Sequence, residues 1–126
     1  MKNSNDNGNK KRVAVSSTWK VLDSNVNELF GRCPYFIIAE IENKKIVKIE
    51  AIENKSMNQM GGAGIAAAQM IAEKKVDAVI TWNIGPKAFD VLKQFDIEIY
   101  KGSGSAREAL RKFMNGKLEK INKQVK

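Results

Sequence analysis

The run Met60-Gly61-Gly62-Ala63-Gly64-Ile65 opens directly into the helix-favouring stretch Ala66-Ala67-Ala68-Gln69-Met70-Ile71-Ala72. Amides in the first turn of a helix lack intrahelical partners and sit at the positive end of its dipole, so a side-chain-free approach to them makes a cradle for an anion. Glycine and alanine here also let a helix lie close on a sheet, and the sequence leaves both readings open. Two further helix beginnings follow glycine in the same way, Gly85-Pro86 and Gly102-Ser103-Gly104. Ligands of open α/β sheets bind outside the carboxyl ends of parallel strands, so the three beginnings are expected to converge on one rim. Ser16, Ser17, Thr81 and Asn83 are expected to line it, which suits an anionic or polar ligand. Met57 and Met60 flank the loop and could offer thioethers or simply fill gaps in the core.

The one thiol, Cys33, stands in Phe30-Gly31-Arg32-Cys33-Pro34-Tyr35, where Arg32 could favour the thiolate. A thiolate is a good partner for iron or an iron-sulfur cluster, whereas a lone cysteine also serves as a small buried hydrophobe. The chain has no histidine, which removes the imidazole base, the histidine-bearing triad and the histidine zinc ligand. Glu40, Glu50, Asp77, Asp90 and Glu98 are spread along the chain without a two-metal pattern. No acid-base pair can be named, so the residues themselves do not discriminate an enzymatic role. Gly62-Ala63-Gly64-Ile65-Ala66-Ala67 fits Gly-x-Gly-x-x-Ala, but the polar loop Glu53 to Gln59 precedes it. Asp77 falls at the start of its strand, so the dinucleotide fingerprint lacks its context. Trp19, Trp82 and Tyr35 are too scattered for a base-stacking platform.

These residues must be placed by a single domain, since 126 residues with one cysteine can bury one core without staples. The net charge of +8 lies mostly at the ends, with +3 in residues 1–12 and +3 in residues 117–126. That distribution reads as basic solvated tails, 1–11 polar and disordered and 117–126 frayed, around a domain of residues 12–116. Nucleic acid is accordingly an unfavoured partner. The tails carry the alternative function, an interaction module for nucleic acid or a protein. No apolar run is long enough to span a membrane and the start lacks a signal-like stretch, so a cytoplasmic location is expected.

Arg12 to Ser17 alternates valines and reads as a first strand, followed by a loop to Pro34 with a short helical turn pinned by Leu29 and Phe30. Tyr35 to Ile41 and Lys45 to Ile52, joined by Glu42-Asn43-Lys44, read as an antiparallel hairpin. Then come a helix from Gly62 to Lys75, a strand Val76 to Thr81, a helix Pro86 to Phe95, a strand Ile97 to Tyr100 and a helix Ser105 to Asn115. Alternating strands and helices imply parallel pairing through right-handed crossovers.

Four motifs in order resemble one family: Leu22-Asp23-Ser24-Asn25-Val26 with Phe30-Gly31-Arg32-Cys33-Pro34-Tyr35-Phe36, then Gly61-Gly62-Ala63-Gly64-Ile65, then Asn83-Ile84-Gly85-Pro86-Lys87-Ala88-Phe89. It is the dinitrogenase iron-molybdenum cofactor biosynthesis family, the NifX/NafY-like domain. The resemblance implies an α/β fold with a ribonuclease H-like motif. Its sheet would be mixed and five-stranded, of order 3-2-1-4-5 with strand 2 antiparallel, and flanked by helices. It also implies a non-catalytic binding or carrier protein for an iron-sulfur or iron-molybdenum type cofactor or precursor, with cofactor-assembly proteins as possible partners. Family ligation is usually attributed to histidine or cysteine near the loops, often a histidine beside the Gly-x-Gly turn; here Met60 stands there. The expected cofactor-binding residues are Arg32, Cys33, Met60, Gly61, Gly62, Gly64, Asn83, Gly85 and Ser103, with Cys33 as the metal ligand.

Overall fold

The computed structural model describes residues 10–122. Strand β1 (Lys10–Ser17) is followed by the hairpin β2 (Tyr35–Glu42) and β3 (Lys45–Glu53). Helix α1 (Ala63–Glu73), strand β4 (Ala78–Thr81), helix α2 (Pro86–Gln94), strand β5 (Glu98–Lys101) and helix α3 (Ala106–Met114) complete the crossovers, and β6 (Glu119–Lys120) closes the chain. The sheet runs β3-β2-β1-β4-β5-β6. β2 is antiparallel to both neighbours, β1 pairs parallel with β4 and β4 with β5, and β6 returns antiparallel.

β1 is central because it is apolar on both faces: Ala14 faces one core and Val13 and Val15 the other. α1 and α2 cover the Ala14 side with Phe30, Phe36, Ile38 and Val79, and α3 covers the Val13 side with Ile37 and Ile80. Small residues set the approach of α1, whose buried positions are Ala63, Ala67, Ala68 and Ile71. The entry of β1 is fixed by Arg12: its amide donates to Asp77 Oδ2 at 2.8 Å and its guanidinium to Glu40 and to the Lys74 carbonyl. Asp77 is therefore a strand-entry acceptor. No helix among the described residues is long and apolar enough to cross a membrane.

The structure departs from the sequence expectation in three places. The first strand reaches back to Lys10, which pairs with Glu42 at the end of β2. Residues 10 and 11 thus belong to β1, while residues 1–9 and 123–126 of the expected tails lie outside the described residues. Residues 117–122 are not frayed: Glu119–Lys120 makes a sixth strand, the Ile121 amide donates to the Ile99 carbonyl at 2.7 Å, and Ile121 is buried. Two apolar residues among lysines are enough, because Leu118 and Ile121 reach opposite cores. The expected helical turn at 24–30 is an irregular crossing instead. Its amides are taken by tertiary partners, Val26 N by Gly104 O and Asn27 N by Ser16 O, both at 2.8 Å, so the helical ladder has no donors there.

Candidate functional site

Two of the three glycine-led helix beginnings meet. The first turns of α1 and α2 and the 3-10 turn Phe30–Arg32 enclose a cleft of about 400 Å³, to which Arg32, Gly62, Gly64, Gly85 and Lys87 contribute. Gly62 caps α1 with φ of 74°, a left-handed conformation that favours glycine, and no side chain caps that helix. α2 begins at Pro86 behind Gly85, again without a side-chain cap. The first-turn amides of both helices therefore lack a side-chain acceptor, and the positive ends of two dipoles point to one place.

The glycines divide their work. A Cβ on Gly31 would stand 2.7 Å from Gly64 Cα and 2.9 Å from Gly64 N, so the 3-10 turn and α1 touch backbone to backbone. A Cβ on Gly64 would meet Ala88 Cβ at 3.3 Å, which holds α1 against α2. Close packing, one of the two readings of the cluster, thus applies at Gly64, while Gly62 makes the turn that opens α1. A Cβ on Gly61 or Gly85 would meet nothing within 4 Å.

Arg32 lines the cleft while clamping its wall, because its Nη1 donates to the carbonyls of Met57 and Gln59 at 2.8 and 2.7 Å. Lys87, in the first turn of α2, is the other charged lining residue, and both are cations. Lys87 is not among the expected site residues, although it stands in the Asn83–Phe89 motif. The signal was its place just after a helix-opening Gly-Pro.

Other expected site residues lie elsewhere. The third beginning is turned to the opposite face of the sheet: α3 packs on the Val13 side, and its first amides are already satisfied. Ala106 N donates to Ser24 O, Arg107 N to Leu22 O and Glu108 N to Ser105 Oγ. Ser103 is exposed on that loop and does not reach the cleft. Gly102 is there for packing, since a Cβ would come 2.5 Å from Ile80 Cγ2. Ser16, Ser17 and Thr81 do not line a rim either, being fully buried and used to tie strand ends, with Ser16 Oγ donating to Thr81 Oγ1 at 2.8 Å. Asn83 acts through its backbone, donating to Glu28 O and accepting from Phe30 N, which fastens the loop beside the 3-10 turn. Met60 is 98% exposed and Gly61 lies outside the cleft lining.

Cys33 takes the role of small buried hydrophobe, which the sequence also offered, and not that of the expected metal ligand. It is fully buried in the core beneath α1, its thiol donates to the Phe30 carbonyl at 3.3 Å, and burial pushes its pKa up to about 12. Arg32 points away to the 57–59 loop and does not stabilise a thiolate. Among the described residues no group of three or more histidine, cysteine, aspartate or glutamate side chains converges as a metal cage requires. The donor set fits a cluster held from outside by amides and cations, and does not fit one bonded to protein side chains. The alternative through basic tails finds no support in the described part of those tails, where Lys10 pairs with Glu42 at 3.3 Å and Lys120 with Glu98 at 3.1 Å.

A mixed sheet of this order, with a ligand-sized cleft at the carboxyl ends of its parallel strands, defines an α/β protein built on a ribonuclease H-like motif. The family model for dinitrogenase iron-molybdenum cofactor matches residues 9–116, and the chain belongs to that family of NifX-like proteins. A connection with the biosynthesis or binding of the iron-molybdenum cofactor comes with this membership. An uncharacterised protein of Methanocaldococcus jannaschii is 46% identical over 102 residues, covering 79% of this chain and 86% of its own. The apo form of the orange protein from Desulfovibrio gigas superposes with a TM-score of 0.84 at 28% identity, covering 92% of this chain and 97% of that one. A Thermotoga protein solved by NMR gives 0.78 at 32% identity with the same coverage.

Proposed function

We propose that this chain is a non-catalytic binding or carrier protein for an iron-molybdenum type cofactor or its precursor. The cargo is taken up as a preassembled anionic cluster in the cleft between the starts of α1 and α2, and its partners are the proteins that deliver and receive it. The observation that carries this reading is the meeting of two helix N-termini without side-chain caps, flanked by Arg32 and Lys87, in a chain of this family. Each helix end contributes about 0.3 to 2 kcal/mol towards an anion, and the two cations add to it in a partly enclosed site. The side chains lining the cleft are aliphatic or cationic, which suits holding an anion.

The test is retention. The protein is mixed without oxygen with isolated iron-molybdenum cofactor, desalted, and its molybdenum and iron measured by mass spectrometry. The wild-type chain should retain molybdenum in proportion to protein, and Lys87→Glu should retain at least about tenfold less, since it turns an attraction into a repulsion at close range. Equal retention by both, or none by the wild type, refutes the reading.

A further inference from the structure

Among the described residues, β3 forms one edge of the sheet and pairs on one side only, with β2. An edge strand presents a row of unpaired amides and carbonyls, a template for another strand. Two large aliphatic side chains sit on it in water, Val47 at 55% and Ile49 at 41% exposure. The register with β2 shifts between Glu40 opposite Lys48 and Ile41 opposite Ile46, which makes Val47 the extra residue of a bulge. Counting in from Ile52, which packs against the α1 and α2 side, Glu50 and Lys48 share that face. Ala51 and Ile49 take the other face, and the bulge puts Val47 there with them.

The five residues Val47-Lys48-Ile49-Glu50-Ala51 therefore read alike from either end: aliphatic, charged, aliphatic, oppositely charged, aliphatic. We infer that β3 is a self-association strand, on which a second copy of this chain adds antiparallel about a two-fold axis through Ile49. In that register Lys48 of each copy faces Glu50 of the other, Val47 faces Ala51, and Ile49 faces its own counterpart. Val47, Ile49 and Ala51 of both copies make one aliphatic stripe on the α3 side, and the two ion pairs lie on the opposite face. A two-fold axis perpendicular to the sheet requires paired residues to share a face, so the next registers centre on Lys48 or on Glu50. Each of those opposes like charges, which is unfavourable between facing strand positions. Neither Lys48 nor Glu50 has an ion-pair partner within the chain among the described residues, so both remain available. The association extends the sheet and is isologous, the commonest symmetry of homo-oligomers.

The test is sedimentation velocity on the full chain from about 1 μM to about 1 mM, because self-association is read from its concentration dependence. The expected result is a monomer–dimer equilibrium that Lys48→Glu alone, or Glu50→Lys alone, weakens about tenfold or more by opposing like charges twice. The doubly substituted Lys48→Glu/Glu50→Lys chain should recover the dimer. An equimolar mixture of the two single variants should recover it too, since each strand then meets opposite charges on the other. A monomer throughout the range overturns the inference. So does a dimer that the single reversals leave unchanged, which would place the contact on another surface.

Discussion

Replacing Gly31 by alanine puts one methyl group where the 3-10 turn meets the first turn of α1. The new Cβ would lie 2.7 Å from Gly64 Cα and 2.9 Å from Gly64 N, against an ordinary carbon contact of roughly 3.5 to 4 Å. Both struck atoms are backbone, so no side chain can swing aside, and α1 must retreat by about 1 Å. Gly64 is itself held by Ala88 on its other side, which passes the displacement to α2. Overpacking of this kind costs about 1 to 3 kcal/mol, or roughly 4 to 12 °C in Tm for a domain of this size. Thermal denaturation followed by circular dichroism reads the loss, with Gly61→Ala as the control because a Cβ there meets nothing within 4 Å. Amide hydrogen exchange should quicken in the first turn of α1 in Gly31→Ala only. If Gly31→Ala melts with the control and exchanges like wild type, the backbone contact does not position the cleft.

Three further outcomes follow from the same contacts. Cys33 should react with a thiol reagent at neutral pH at least about a hundredfold more slowly in the native protein than in urea, because the thiolate is the nucleophile and burial suppresses it. Its pKa is raised from 9.0 to about 12 in the fold, so its contribution is intact below pH 9 and is lost as the unfolded thiol ionises above it. Urea unfolding at pH 10.5 compared with pH 8 should cost wild type about 2 kcal/mol more than Cys33→Ala, at 1.36 kcal/mol per pH unit, and equal losses would refute the buried thiol. Truncation after Gly116 should lower stability by about 2 kcal/mol or more, since it uncovers the sites of Leu118 and Ile121; a denaturant midpoint unchanged by the truncation would make β6 a bystander.

The features legible in the sequence are those set by local chemistry. The β2–β3 hairpin follows from aromatic and β-branched runs around Glu42-Asn43-Lys44, and α1 and α2 start where glycine precedes alanine or proline. The sheet order came with the family motifs, and those motifs contain residues that build the cleft, Gly31, Gly64 and Lys87. What was hidden depends on which face an element covers. Nothing local tells α3 to pack opposite α1 and α2, so the Gly102-Ser103-Gly104 loop read as a third wall of the same site. Burial of Cys33 was one of the two readings its sequence left open, and the packing of the core around it decides between them. β6 escaped notice because two residues of strand carry no periodicity, and its anchors Leu118 and Ile121 stand among lysines.

In the proposed function, an anionic metal-sulfur cargo sits on the first turns of α1 and α2 without a bond to Cys33. The most direct measurement is an NMR titration of the nitrogen-15-labelled protein with tetrathiomolybdate, a diamagnetic molybdenum-sulfur dianion. Amide shifts should concentrate at Ala63, Gly64, Ile65, Lys87 and Ala88, and the same pattern should persist in Cys33→Ala. Shifts centred on Ser103 and the start of α3, or a pattern abolished by Cys33→Ala, would contradict it.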